Sequence, residues 1–115
     1  MSKRINWKKL AQSIPHILPP LNKEVYEVVY IDDFKDGKTL GETRFDLKQI
    51  VIKRDQSDTE LCKTMFHECL HLVSDHCKAG LTENQVLALE KSLPFWLKLG
   101  KIVDDSSKKN TRKKK

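Results

Sequence analysis

His67, Glu68 and His71 are the residues whose types and spacing could do chemistry. They form H-E-x-x-H within Thr64-Met65-Phe66-His67-Glu68-Cys69-Leu70-His71. On a helix, residues four apart lie one turn above each other on one face. Two imidazoles so placed can give one nitrogen each to a single Zn²⁺, at about 2.0–2.1 Å. Glu68 is rotated from His67 by roughly 100°. Its carboxylate would lie beside the ion, where it can take a proton from metal-bound water. The competing reading is two surface histidines on an amphipathic helix, with no metal.

A catalytic zinc usually has three protein ligands and one open position. Glu83 is the better candidate for the third. It falls in the first turn of a second helix, just beyond a tight reversal at Gly80. Glu90 and His76 stay open as alternatives. On a continuous helix His76 lies about 180° from His67, which suits a partly buried helix-end residue. Without a metal, Glu83 would simply compensate the helix N-terminus. A structural zinc site from Cys69, His71, His76 and Cys77 is a further alternative, although no C-x₂₋₄-C pair exists and the helical directions diverge.

These side chains need a helix with a core face elsewhere. With His67 at zero, Leu61, Cys62, Met65, Phe66, Cys69, Leu72 and Val73 fall in one arc opposite the histidines. Glu60, Thr64 and Asp75 fall on the histidine side. Ser57 with Glu60 resembles a capping box, so the helix should start near Asp58 and run to about Cys77, with a glycine stop at Gly80. Thr82 with Gln85 caps a second helix, which Pro94 should kink or split into 82–93 and a final turn through Leu99. Upstream, residues 3–13 read as a short amphipathic helix ended by Pro15 and Pro19-Pro20. Residues 24–31, 39–45 and 50–53 read as strands. Short polar turns between them suggest an antiparallel meander. The fold class is therefore α+β: a three-stranded antiparallel sheet packed on the H-E-x-x-H helix and a following antiparallel helix.

The chain has 115 residues, 33% of them charged and 38% hydrophobic, enough for one small domain with a modest core. No apolar run approaches the roughly 18 residues of a membrane helix, and the N-terminus lacks the apolar core of a signal peptide. Three cysteines, two on the motif helix, suit reduced thiols in a cytoplasmic protein. The net charge of +6 matches the six cations among residues 108–115, which contain no acid. Residues 1–103 thus read as a single domain and 104–115 as a disordered basic tail. The tail could make weak, salt-sensitive contacts with nucleic acid, or merely solubilise the chain. No membrane partner is expected, and no oligomeric state is implied.

The strand Ile50-Val51-Ile52, the polar turn and the helix carrying Phe66-His67-Glu68-Cys69-Leu70-His71 resemble the minimal zincin metallopeptidases. The segment Gly80-Leu81-Thr82-Glu83-Asn84-Gln85-Val86 is similar to one in small phage and bacterial proteins of that kind. The resemblance covers roughly residues 40–93. It implies a minimal zincin-like fold in the cytoplasm of a bacterial or phage-infected cell. It also implies Zn²⁺ on His67, His71 and Glu83, with Glu68 as general base in the hydrolysis of a peptide or protein substrate. The strand at 50–53 would lie along the cleft and offer its backbone to an extended peptide. Two other functions fit the same residues. One is a metal-binding interaction or nucleic-acid-associated module without peptidase activity; the other is a zinc-stabilised structural protein.

Overall fold

The computed structural model describes residues 4–100 and, as backbone, residues 103 and 104. Its elements, in chain order, are β1 (Arg4–Ile5), α1 (Trp7–Gln12), β2 (Glu27–Ile31), β3 (Gly41–Arg44), β4 (Gln49–Lys53), α2 (Asp58–His76), α3 (Glu83–Glu90), α4 (Leu93–Leu99) and β5 (Val103–Asp104). The α+β class holds. Of the tail expected at 104–115, only the backbone of Asp104 is described, and it pairs with Arg4 in the β1–β5 ribbon. No helix among the described residues is long and apolar enough to cross a membrane.

The sheet is mixed rather than the antiparallel meander expected. Its order is β2-β4-β3, with β4 parallel to β2 and antiparallel to β3. The cause lies in the side chains of β4. Ile50, Val51 and Ile52 are all at most 1% exposed, so β4 is buried on both faces and takes the centre. A continuous apolar run suits a strand enclosed in this way, and full burial of each such side chain contributes about 1.5–3 kcal/mol. β3, Gly-Glu-Thr-Arg, is too polar for that position and lies at an edge. The chain must therefore leave β2, pass the place of β4 to form β3, and then return.

The outer side of β2 is not open. Residues 16–18 run beside it: Val28 N–H donates to His16 C=O at 2.7 Å and Leu18 N–H to Tyr26 C=O at 2.9 Å. Pro15 on one side and Pro19-Pro20 on the other hold this segment extended. Among the described residues, β3 is left as the free edge of the three-stranded sheet.

One face of the sheet carries Val28, Ile50 and Ile52, which with Tyr26 pack against Met65 and Leu72 of α2. α1 crosses the N-terminal part of α2, where the Cys62 thiol donates to Trp7 C=O at 3.7 Å. Val73, expected in the core, is 44% exposed. It lies about 16 Å along the helix from Cys62, whereas the six residues of α1 reach only about 9 Å. α2 starts as expected: Ser57 Oγ accepts from Glu60 N–H at 3.2 Å. The second helix is split. α3 ends at Glu90, and Pro94 sits in the first turn of α4, where its missing N–H is harmless.

Candidate metal centre

α2 and α3 place the metal-ligand candidates together. Ser74, buried near the end of α2, accepts from Leu81 N–H through its Oγ at 2.9 Å and from Ala79 N–H through its carbonyl at 2.9 Å. Gly80 turns at φ +64°, a value that glycine adopts without penalty. A full capping box between Thr82 and Gln85 then starts α3 at Glu83. Glu83, Val86 and Glu90 recur at i, i+3 and i+7 on one stripe of α3; Val86 is fully buried and Glu83 sits at the exposed rim.

Four side chains meet there. His67 Nε2 and His71 Nε2 are 3.2 Å apart. Glu83 bridges them, with Oε2 at 3.1 Å from His67 Nε2 and Oε1 at 2.9 Å from His71 Nε2. Glu90 lies behind, its Oε1 at 2.9 Å from His67 Nδ1. In a metal site that position would make Glu90 a partner of a ligand rather than a ligand. With the proton on Nδ1, His67 donates to the carboxylate and presents the bare lone pair of Nε2 to the cluster.

The donor set fits a divalent cation. Tetrahedral ligands at about 2.0–2.1 Å stand about 3.3 Å from one another, close to the separations seen. Lone pairs of imidazole and carboxylate facing each other at this range repel unless a ring proton or a metal cation lies between them. His67, His71 and Glu83 are the only group of three or more such side chains whose ligand atoms converge among the described residues, all within 4.8 Å.

Glu68 is 7% exposed and belongs to the opposite wall. Thr43 of β3 donates its hydroxyl to Glu68 Oε1 at 2.8 Å, and the same hydroxyl is 3.1 Å from the Glu68 main-chain carbonyl. Burial pushes the Glu68 carboxyl above its ordinary value. The Thr43 hydrogen bond and the nearby His67 and His71 pull it down, and Glu83 adds to the upward push. Gly41 lets β3 come this close. A Cβ there would stand 2.6 Å from Thr64 Cγ2 and 3.2 Å from Glu68 Cγ.

The strand at 50–53 does not line the cleft as expected. β4 is paired on both sides and has no free backbone to offer. The strand along the cleft is β3. Lys53 N–H donates to Leu40 C=O at 2.8 Å, so by antiparallel alternation Glu42 and Arg44 pair with β4 while the N–H and C=O groups of Gly41 and Thr43 face outward. A cleft of about 820 Å³ runs from Gly41, Thr43 and Phe45 past His67, Glu68 and His71 to Leu81 and Glu83. A second of about 440 Å³, between Leu40 and Leu87, shares Gly41, His67 and Glu68 with it.

The alternatives weighed from sequence do not converge. His76 packs edge-on against Tyr26, ring centroids 5.7 Å apart, on another side of α2. Burial pushes the Cys69 thiol up to about 11, and no cysteine belongs to the converging group among the described residues. Thr43, Gly41 and the role of Glu90 were missed. Only Glu90 left a trace in the sequence, in its two-turn spacing from Glu83. Comparison with family models, curated proteins and solved structures found no match for this chain.

Proposed function

We propose that this protein is a zinc-dependent metallopeptidase acting on extended peptide segments. The observation that carries this reading is the convergence of two imidazole nitrogens and one carboxylate at 2.9–3.2 Å. His67, His71 and Glu83 would hold the ion. Bound there, Zn²⁺ would serve as a Lewis acid that acidifies water and polarises a carbonyl.

The remaining roles belong to the chain. Glu90 fixes the ring of His67 through Nδ1. Glu68, anchored at Oε1, keeps Oε2 for the proton of the attacking water and returns it to the leaving amine nitrogen. The outward N–H and C=O groups of Gly41 and Thr43 would pair with the main chain of a substrate laid along β3. Strands paired on both sides within a folded substrate cannot do so, and unfolded or extended segments are therefore the class this site suits.

The test combines metal content with hydrolysis of a fluorogenic peptide mixture. Wild type should carry one zinc per chain, and His67→Ala and Glu83→Ala little. Glu68→Gln should keep the zinc and the fold but lose hydrolysis, a fall of at least about 100-fold. Equal hydrolysis by wild type and Glu68→Gln would end the peptidase reading. Zinc retained in Glu83→Ala would remove Glu83 from the ligand set.

A further inference from the structure

We infer that Thr43 is a positioning residue that couples the seating of a peptide on β3 to the aim of Glu68, an inference that rests on the hydrolase reading of Glu68. Two halves of the residue face different partners. Its main-chain N–H and C=O point to the free edge of β3, where a substrate strand would pair. Its side chain points to α2 and donates to Glu68 Oε1 at 2.8 Å. This is the one protein hydrogen bond given to the Glu68 carboxylate among the described residues.

The coupling is mechanical. Threonine is stiff at χ1, so its hydroxyl follows its backbone. A peptide that completes the ladder outside β3 fixes the φ and ψ of Thr43, and with them the direction of Cα–Cβ. The hydroxyl is tied to the helix a second way, 3.1 Å from the Glu68 carbonyl, which holds it at one point along α2. Gly41, two residues before, keeps the strand close enough for both contacts. An empty edge leaves β3 with pairing on one side only; an occupied edge clamps it between β4 and the substrate. The carboxylate that must meet the attacking water is thereby oriented by the strand that holds the peptide.

Thr43→Val removes the hydroxyl and keeps the shape, and Thr43→Ser restores the hydroxyl. Neither alters the main-chain groups at the edge. Zinc-loaded Thr43→Val should lose about 10- to 100-fold in kcat with little change in KM, and Thr43→Ser, which restores the hydroxyl without the β-branch, should recover part of it. Crystal structures of the metal-free proteins give a readout independent of turnover: Glu68 should leave its position in Thr43→Val and keep it in Thr43→Ser. Thermal melts establish that both variants fold. An unmoved Glu68 in Thr43→Val, a loss carried by KM, or a serine variant as slow as the valine variant overturns the inference. A wild type no faster than Glu68→Gln overturns the hydrolase reading instead, and the Glu68 conformation then decides the positioning of that side chain by itself.

Discussion

α2 carries two histidine clusters, and they are built in opposite ways. At its middle, His67 and His71 aim Nε2 at each other and at Glu83, so acceptors crowd one point. At its C-terminal end, His76 is met by groups that can satisfy it without an ion. The Tyr26 hydroxyl is 3.3 Å from its Nε2 and the Asn22 amide 3.5 Å from its Nδ1. The Asn22 amide also donates to the His76 carbonyl at 3.2 Å, tying the left-handed Asn22–Lys23 turn to the end of the helix. The side chain of His76 is 9% exposed and that of His67 14%, so burial does not separate the two. What separates them is whether the neighbours complement the ring or compete with it. A histidine surrounded by complementary hydrogen bonds holds a fold together; histidines surrounded by acceptors are satisfied by ring protons or by a cation, and the proposed function rests on the cation.

Zinc binding separates the two ends of the helix most sharply. His67→Ala should remove bound metal, with a loss of affinity beyond the about 10- to 100-fold that follows loss of an outer hydrogen-bond partner. His76→Ala should keep one zinc per chain and lose about 1–3 kcal/mol of stability, with or without chelator. Metal analysis and urea unfolding distinguish the two, and a zinc-free His76→Ala would erase the distinction. Glu90→Gln should have a smaller effect, a fall in zinc affinity of about 10- to 100-fold at unchanged stoichiometry. Competition with a fluorescent chelator measures it, and a loss of stoichiometry would make Glu90 a ligand.

The smallest effect concerns pH at the His76 cluster. Burial, with Glu24 and Asp75 adding to it, raises the Tyr26 hydroxyl above its ordinary 10.0. A group with a raised folded value stabilises the fold fully below its unfolded value. That contribution is lost as pH rises past 10 through the folded value. The urea midpoint of wild type should therefore fall more steeply above pH 10 than that of Tyr26→Phe. Parallel curves would mean that Tyr26 ionises as freely in the folded chain as in the unfolded one.

The two sides of the site differ in how far they could be read from sequence. The α2–α3 side rests on local spacing: four residues from His67 to His71, a capped start at Thr82 and a glycine reversal between the helices. Each is a short-range rule, and the structure brings His67, His71 and Glu83 together as that spacing expects. The α2–β3 side rests on pairing between distant segments. Nothing in Gly41-Glu42-Thr43-Arg44 reveals that Thr43 faces Glu68, because that depends on β4 entering between β2 and β3. The same insertion turned the expected meander into a mixed sheet. Ile50-Val51-Ile52 did hold the clue: an unbroken apolar run marks a central strand, while the strand that lines a cleft must keep one edge free.

The bare main chain of Gly41 beside Glu68 can recognise that a polymer is stretched out, but it has no means of telling one residue type from another. Selectivity in a hydrolase of this design would arise at the ends of the trench, from Phe45 and Leu81 on one flank and Leu40 and Leu87 on the other. Its centre would be indifferent to composition, and exchanging those four side chains would retune its diet without touching the chemistry.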